Sequence, residues 1–543
     1  MRTNNSSTSH KIIDFLKTIK NHQSKIINCL ILLMLASCTD LDIYPENTSS
    51  SEVVFSTFDG TKQALAKVYA AYTLTGNQGP AGKTDLPIPA VDEGSNADFL
   101  RSWFNHQALP TDEAHCLWQD AGIPEMNDIN FTVDNRFTAG LYYRVIIQIM
   151  YANEFIRNAK EELNPEVAVF KAEARFIRAF DYWVLMDIFG NPPFVTEKDD
   201  TGILPQQTAR AELFKYIESE LLDIADNNLL KAPKTNEYGR ADQAAAWALL
   251  ARLYLNAEIY TGTAKWDEAV TYSKKVIDAG YSLKGNYEHL FMADNHMNNP
   301  EIILPITYDG TRTRLYGGTT FLINCTFNAS YLTQYESVLL HSGLYDGANW
   351  TGYRTRKELS EKFDAGDKRY LFVGENPSLD NDPSISTNGL MVYKYRNIQS
   401  GSVLGNIING SDRQYADVDF PLFRLAEQYL IYAEAVARGG SGGSRADAVG
   451  YVNQLRDRAD VSLINDANLT PAFILDERAR ELYWECHRRT DLVRFGLFTS
   501  NDYLWEWKGG VQAGRGIDAH YNIFPIPSSD INANTNLNQN DKY

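Results

Sequence analysis

The chain predicts a mainly α fold: paired helices in a repeating scaffold, interrupted by irregular, loop-rich insertions and a few short strands. Three observations predict it. The first is the run from Lys171 to Val195, KAEARFIRAFDYWVLMDIFGNPPFV. Ile177, Phe180, Val184 and Ile188 recur there at helical spacing, and Phe176, Trp183, Leu185 and Met186 fill much of the remaining surface. A helix apolar on nearly every side needs neighbouring helices to bury it. The second observation is a set of such neighbours with small alanines at packing positions. The third is a pair of long stretches in which helical periodicity fades and Gly, Pro and Asn accumulate.

The elements follow in order. A helix is expected from about Phe58 to Tyr72. Residues 75–136 are irregular, punctuated by Gly76, Gly79, Pro80, Gly82, Pro87, Pro89, Gly94 and Pro110. Long irregular stretches in compact proteins are functional or disordered, and Trp103, Phe104 and Trp118 argue for function here. A helix from about Thr138 to Lys160 precedes the Lys171–Val195 run. Asn164-Pro165 starts that run as a cap and a first-turn proline, and Gly190-Asn191-Pro192-Pro193 stops it. An amphipathic helix spans about Thr208–Asp226. In the next, Trp247, Leu250, Ala251, Tyr254 and Leu255 fall on one face. Lys265–Gly280, KWDEAVTYSKKVIDAG, resembles the second helix of a tetratricopeptide repeat. The pairing recurs at Leu422–Arg438 and Ala446–Ala459, joined by the glycine-rich Gly439–Gly443. Between them, residues 281–420 form an insertion with β-prone runs at Ile302–Ile306 and Thr320–Ile323. A last long helix is expected over about Pro471–Phe495.

With 543 residues the chain is long enough for two to four structural units. Its net charge of −18 argues against a nucleic-acid partner, because a phosphate backbone attracts a basic face. The five cysteines show neither CxxC nor metal spacing, so neither a zinc site nor a disulfide framework is expected. Residues 1–37 read as an export signal: five cations against one acid, then an apolar run from Ile26 to Leu35 too short to span a bilayer. The run closes on Leu35-Ala36-Ser37-Cys38, which resembles the bacterial lipoprotein box and predicts lipidation at Cys38. Acyl chains contribute ~0.8 kcal/mol per buried CH2, so a multiply acylated cysteine is a stable membrane anchor. Losing that segment takes the net charge from −18 to −22.

These residues together resemble one family. Ala172-Glu173-Ala174-Arg175-Phe176 through Phe189-Gly190 and Pro193–Thr196, the stretch Leu422–Ala435, the stretch Asp476–Gly496, and the ending Ile523–Asn540 resemble, in order, the signatures of the SusD/RagB outer-membrane nutrient-binding lipoproteins of the Bacteroidetes. With the lipoprotein box they cover essentially the whole chain. The resemblance implies a scaffold of about four tetratricopeptide-like pairs (about 56–74, 138–280 and 421–498 of a 38–543 domain). Loop-rich segments at about 75–137 and 281–420 would form the ligand site. It also implies a lipid-anchored protein at the outer membrane facing the cell exterior, partnered by a SusC-like TonB-dependent transporter and capturing oligosaccharide for it. The different-class reading is a peptide- or protein-binding repeat lipoprotein of a similar uptake complex.

Candidate site residues follow from chemistry and resemblance together. An aromatic ring stacks on the C–H face of a sugar while polar groups bind its hydroxyls. Thr111-Asp112-Glu113 to Trp118-Gln119-Asp120 and Asn349-Trp350-Thr351-Gly352-Tyr353 resemble family segments around such aromatics. Trp118 and Trp350 are the principal candidates, with Tyr308 and Tyr316 from the same insertion, and Asp92, Asn96 and Asp120 as hydroxyl partners. Trp183, Trp247, Trp266 and Trp484 are expected in the core. Glu477, Glu481 and Glu485 have the spacing of a carboxylate pair for glycoside hydrolysis. The arginines interleaved with them and the apolar stripe beside them favour structural ion pairs. His487 reads as structural in the same way. No catalytic residue, resident metal or cofactor is expected. The acidic Asp380-Asn381-Asp382 offers a calcium site, against the commoner solvated loop.

Overall fold

The helix Glu166–Phe189 is buried on nearly its whole surface from Ala172 onward, so it sets the positions of its neighbours. Asn164 Oδ1 accepts from Glu166 N at 2.9 Å at its start. Gly190 ends it at φ 76°, its N–H donating to Met186 O, in a region that favours glycine. The Phe180 ring meets Tyr72, Phe99, Trp103, Trp183 and Phe423 at centroid distances of 5.8–6.2 Å. The acids on this helix beyond its first turn are buried with partners, as burial demands. Glu173 accepts from Arg240 Nε at 3.0 Å and Tyr69 OH at 2.7 Å, and Asp181 accepts from Tyr72 OH at 2.9 Å. Asp187 accepts from Tyr260 OH at 2.8 Å and Thr490 Oγ1 at 2.7 Å.

The computed structural model describes residues 50–80, 82–86, 96–327, 341–344 and 350–543. The export segment, Cys38 and Asp92 therefore lie outside the described residues. Ser51–Val54 is one helical turn; Phe55–Tyr543 form a single unit. In chain order that unit holds α1 (Phe58–Ala70), α2 (Phe99–Ala108), β1 (His115–Cys116), α3 (Arg136–Asn158) and α4 (Glu166–Phe189). β2 (Pro193–Phe194), β3 (Gln206–Gln207), α5 (Arg210–Asp226), α6 (Gln243–Leu255) and α7 (Trp266–Ile277) follow. Next come β4 (Ile302–Ile306), α8 (Gly318–Asn324), β5 (Tyr353–Arg354), β6 (Phe372–Val373), β7 (Met391–Val392) and β8 (Phe420–Arg424). α9 (Leu425–Ala437), α10 (Arg445–Arg458), α11 (Pro471–Leu482) and α12 (Arg488–Arg494) complete the scaffold. Successive helices pack in order, α3 on α4, α4 on α5, α5 on α6 and α6 on α7. α7 packs on α9 although the chain leaves for β4–β8 between them, and α9 then packs on α10 and α11. The strands pair only in twos, all antiparallel: β1 with β5, β2 with β3, β4 with β8 and β6 with β7. Among the described residues no helix is long and apolar enough to cross a membrane.

Three local expectations are corrected. The irregular 75–136 segment contains α2, in which all ten residues are buried. Arg101, Ser102, Asn105, His106 and Gln107 sit inside with the apolar residues, which erases the amphipathic pattern that marks a helix. Thr320–Ile323 is β-prone in sequence yet lies in α8, whose complete burial lets packing override local propensity. The last long helix breaks. α11 stops at Leu482, and Trp484 and Cys486, both at φ 63°, turn the chain before α12. Such left-handed conformations are costly for bulky residues and persist where packing over-determines them. Here the Trp484 ring lies 5.0 Å from that of Phe104, and its Nε1 donates to Glu113 O at 3.3 Å.

This break places the three glutamates in a buried ion-pair network. Glu477 accepts from Arg369 Nη1 at 2.7 Å, Arg456 Nη1 at 2.9 Å and Arg480 Nη2 at 2.7 Å. Glu481 accepts from Arg424 Nη1 at 2.6 Å, Arg369 Nη1 at 3.2 Å and Arg458. Glu485 accepts from Lys394 Nζ at 2.7 Å and Arg424 Nε at 2.6 Å. Glu301, beside β4, joins through Arg424 Nη1 at 2.9 Å and Arg458 Nη1 at 2.8 Å. Burial pushes the Glu477 carboxyl up, but the charges of Arg369, Arg480 and Arg456 outweigh it and bring it to about 2. Burial against Arg458, Arg424 and Arg369 likewise leaves Glu481 well below the usual carboxylate range. Glu477 and Glu481, held deprotonated in this way, have no proton to donate to a substrate, and Glu485 is tied up by Lys394 and Arg424. His487 is buried with Nδ1 3.9 Å from Glu427 Oε1. Burial, then Arg252 and Arg478, hold its imidazole neutral.

Removing one partner of a buried pair leaves the others uncompensated, at ~3–5 kcal/mol. A carboxyl depressed by the fold stabilises fully above its ordinary value of 4.5 and loses that contribution as pH falls toward its folded value. Glu481→Gln is therefore expected to lower the thermal unfolding midpoint strongly at pH 7, with the gap to wild type narrowing between pH 4.5 and pH 3. A gap that stays constant over that range would contradict the ion-pair account.

Candidate functional site

The two loops that carry Trp118 and Trp350 are stitched together by backbone. β1 pairs with β5 in the register His115↔Arg354 and Cys116↔Tyr353. Leu117 N then donates to Gly352 O at 2.9 Å. On the other side, Trp350 N donates to Asn324 O, and Gly352 N and Tyr353 N both donate to Cys325 O, each at 2.7 Å. The end of α8 thus holds the second loop against the first.

The result is a half-buried aromatic cluster. The Trp118 and Trp350 rings lie 6.4 Å apart with their planes at 52°, and Tyr316 lies 6.3 Å from Trp350 at 62°. Tyr353 meets Trp118 edge-on at 5.4 Å, and Tyr415 meets Tyr316 at 5.4 Å. The Gln414 amide donates to the Tyr316 hydroxyl, fixing that ring from its polar end. The Arg101 guanidinium lies 4.8 Å from the Phe321 ring centre and 5.9 Å from that of Trp118, within cation–π range of both. Trp118, Trp350 and Tyr316 each keep part of their surface open. Close contact requires Gly352, since a Cβ there would lie 2.2 Å from Trp118 Cε2.

Two buried arginines position this cluster from behind. Arg354 donates to Thr326 O at 2.9 Å, Tyr353 O at 2.7 Å and twice to Ser386 O at 3.0 Å. Arg356 donates to Leu109 O at 3.1 Å, Ala114 O at 2.5 Å and Thr111 O, and lies 3.3 Å from His115 Nδ1. Burial pulls the Arg356 guanidinium down to about 10, which still leaves it charged at neutral pH. Burial favours the neutral form of the nearby thiols, pushing Cys116 up to about 12 and Cys325 far above its ordinary value. Cys116, Cys325 and Cys486 are all buried and free.

The structure brings together Trp118, Trp350 and Tyr316 from the sequence-derived candidates. Asp120 is exposed two residues beyond Trp118. Asn96 is buried at 5% exposure, its carbonyl accepting from Ser102 Oγ at 3.3 Å. Tyr308 is buried at 7% exposure with its ring against Gly318, where a Cβ would lie 2.3 Å from Cε1, so it offers no open face for stacking. Asp380 and Asp382 spend their carboxylates on their own loop, accepting from Asn376 Nδ2 at 2.7 Å and Ser384 Oγ at 2.6 Å. No group of three or more metal-ligating side chains exists among the described residues. Sequence reasoning missed Arg101, Tyr353, Tyr415 and Gln414. Tyr353 had a signal, lying in the same short run as Trp350; Arg101 and Gln414 come from remote segments and had none.

The chain resembles known proteins in family models, sequence and fold. Residues 330–543 match the model described as the SusD family, and residues 93–255 match one described as starch-binding associating with outer membrane. The Starch-binding protein SusD of Bacteroides thetaiotaomicron is 37% identical over 575 aligned positions, covering 97% of this chain and 99% of that protein. Among solved structures, a SusD-like carbohydrate binding protein from Bacteroides fragilis superposes with a TM-score of 0.67 at 20% identity, covering 90% of this chain and 100% of that one. Surface glycan-binding protein A from Bacteroides thetaiotaomicron, solved in complex with laminarihexaose, gives a TM-score of 0.66 at 19% identity, covering 89% and 99%. At such identities the structural likenesses establish the fold, whereas 37% identity along nearly the whole length establishes kinship: the chain belongs to the SusD family.

Proposed function

We propose that this protein captures oligosaccharide on the Trp118–Trp350–Tyr316 cluster and delivers it to a SusC-like TonB-dependent transporter, held at the outer cell surface by lipid on Cys38. SusD-family proteins are outer-membrane glycan-binding proteins that pair with such transporters and catalyse nothing. The observation that carries the reading is the cluster itself: three part-open rings, fixed from behind, with the exposed Asp120 two residues beyond Trp118 as a candidate acceptor for sugar hydroxyls. The tilts of 52° and 62° between neighbouring planes make a curved surface. A curved surface fits a glycan that curls, such as an α-1,4-linked glucan, better than a flat ribbon. The starch-binding function named for the 37%-identical relative points to the same ligand class.

An affinity gel carrying amylopectin is expected to retain the soluble protein truncated after Cys38 more strongly than gels carrying laminarin or a β-1,4-glucan. Taking ~0.5–1.5 kcal/mol for each aromatic contact, Trp118→Ala with Trp350→Ala should weaken binding about 5- to 150-fold. Unchanged retention of that double variant would sink the stacking site. Gly352→Ala is the subtler variant. Overpacking of this kind costs ~1–3 kcal/mol, and here it displaces the Trp118 indole. The expectation is a weakened glucan affinity with an unfolding midpoint lowered by only a few degrees. Wild-type affinity in Gly352→Ala would show that the Trp118 position does not matter.

A further inference from the structure

Tyr238 is a second aromatic exposed in an organised setting. Its side chain is 52% exposed, yet its hydroxyl end is enclosed and donates to Asp419 Oδ2 at 2.6 Å. Asp419 is buried, and its other oxygen accepts from Tyr308 N at 2.7 Å. The ring is therefore anchored at its polar end while about half of the residue remains open to solvent. The turn that carries it is fixed as well. Lys62 Nζ bonds Glu237 Oε1 at 2.9 Å, and Gly239 at φ 80° approaches β4 so closely that a Cβ there would lie 2.7 Å from Thr307 Cγ2.

Tyr238 and Thr307 line two cavities at once. One, of about 320 Å³, is bounded by Lys62 and Thr313 among others; the second, of about 500 Å³, by His296, Asp309 and Gln399. Both volumes fall within the ~300–1,000 Å³ of small-ligand sites. The exposed His296 ring stands 6.4 Å from Tyr238 at 57°, nearly the spacing and tilt of Trp118 and Trp350 at 6.4 Å and 52°. Two of the larger cavity's carboxylates are held in place by donors from remote segments of the chain. Asp294 accepts from Ser400 Oγ at 2.6 Å, and Asp417 from Gly310 N at 2.7 Å. A carboxylate has about four acceptor positions, so oriented lone pairs remain for hydroxyl donors. Their negative charge disfavours anionic sugars.

One short loop serves this place and the aromatic cluster. Asp309 and Thr313 close a turn, Thr313 N donating to Asp309 O at 2.7 Å, and both line these cavities. Tyr316, on the cluster, is three residues further on. At ~3.3–3.6 Å per residue its Cα lies within about 11 Å of that of Thr313. An oligosaccharide of several units could therefore reach from one to the other.

We propose that Tyr238 is the centre of a second, neutral-sugar subsite, extending the Trp118–Trp350–Tyr316 platform so that long chains are held at two places. This rests on the reading of that platform as a glycan site. The test titrates amylopectin and maltotriose into wild type, Tyr238→Ala, Tyr238→Phe and the Trp118→Ala/Trp350→Ala double variant, with unfolding midpoints as a check on folding. Tyr238→Ala should weaken amylopectin binding about two- to ten-fold, leave maltotriose binding unchanged, and be largely rescued in Tyr238→Phe, which keeps the ring. The double variant should lose both ligands. Unchanged amylopectin affinity in Tyr238→Ala beside a collapse in the double variant overturns the subsite and leaves the platform standing. Equal weakening toward both glucans in Tyr238→Ala also overturns it, as a structural effect. A wild-type protein that binds no amylopectin overturns the α-glucan reading and the subsite with it.

Discussion

Loops that are buried must have their carbonyls and charges satisfied, and in this protein arginine does it. Arg354, Arg356, Arg369, Arg396, Arg424, Arg488 and Arg489 are all among the largest fully buried side chains. A guanidinium carries five donors in a planar fork, so one side chain can close several loop ends at once. Two uses are visible. Arg356 gathers the carbonyls of Leu109, Thr111 and Ala114 and leaves the charge shared among dipoles. Arg424 instead meets the carboxylates of Glu301, Glu481 and Glu485, so that charge is cancelled by charge. Either way the desolvation cost of a buried cation is offset by geometry that would be lost if one partner were removed.

That constraint explains how a helical scaffold carries an aromatic cluster, the proposed glycan site, that it does not itself form. α7 and α9 pack on each other, and among the described residues the chain between them forms only short helices and strands. Arg369 and Lys394 from this excursion tie back to Glu477 and Glu485 around the end of α11. Arg354 and Arg356 do the same for the loop that follows Trp350. The aromatic rings are therefore positioned before any ligand arrives. A site whose side chains are ordered beforehand spends less of its contact energy on ordering them. That matters for a sugar, whose individual stacking contacts are weak.

The scaffold was legible in the sequence because helical periodicity survives wherever one face is polar. α3, α5, α7 and α10 lie within two residues of their expected bounds at most ends, and Ile302–Ile306 is the strand its composition suggested. The pattern failed where burial is complete. α2 mixes Arg101, Asn105 and His106 with Phe99 and Trp103 inside the core, so no face stands out. The turn at Trp484 and Cys486 was invisible because neither residue favours a left-handed backbone; tertiary packing imposes it. Of the proposed site, Trp118 and Trp350 could be put forward because aromatics in irregular chain require a reason. Tyr308 could not be told from Tyr316 by that argument, since both lie in the same insertion and differ only in what folds over them. Arg101 and Tyr238 sit in segments whose local sequence says nothing about the rings and cavities they meet.

Trp118, Trp350 and Tyr316 are proposed to form the surface on which glycan is held. The most direct measurement is a crystal structure of the protein grown with maltoheptaose. Ordered sugar rings stacked across Trp118 and Trp350, with hydroxyl contacts at the Tyr316 edge, is the result this account predicts. Maltoheptaose ordered only elsewhere on the protein, with those three rings bare, would contradict it.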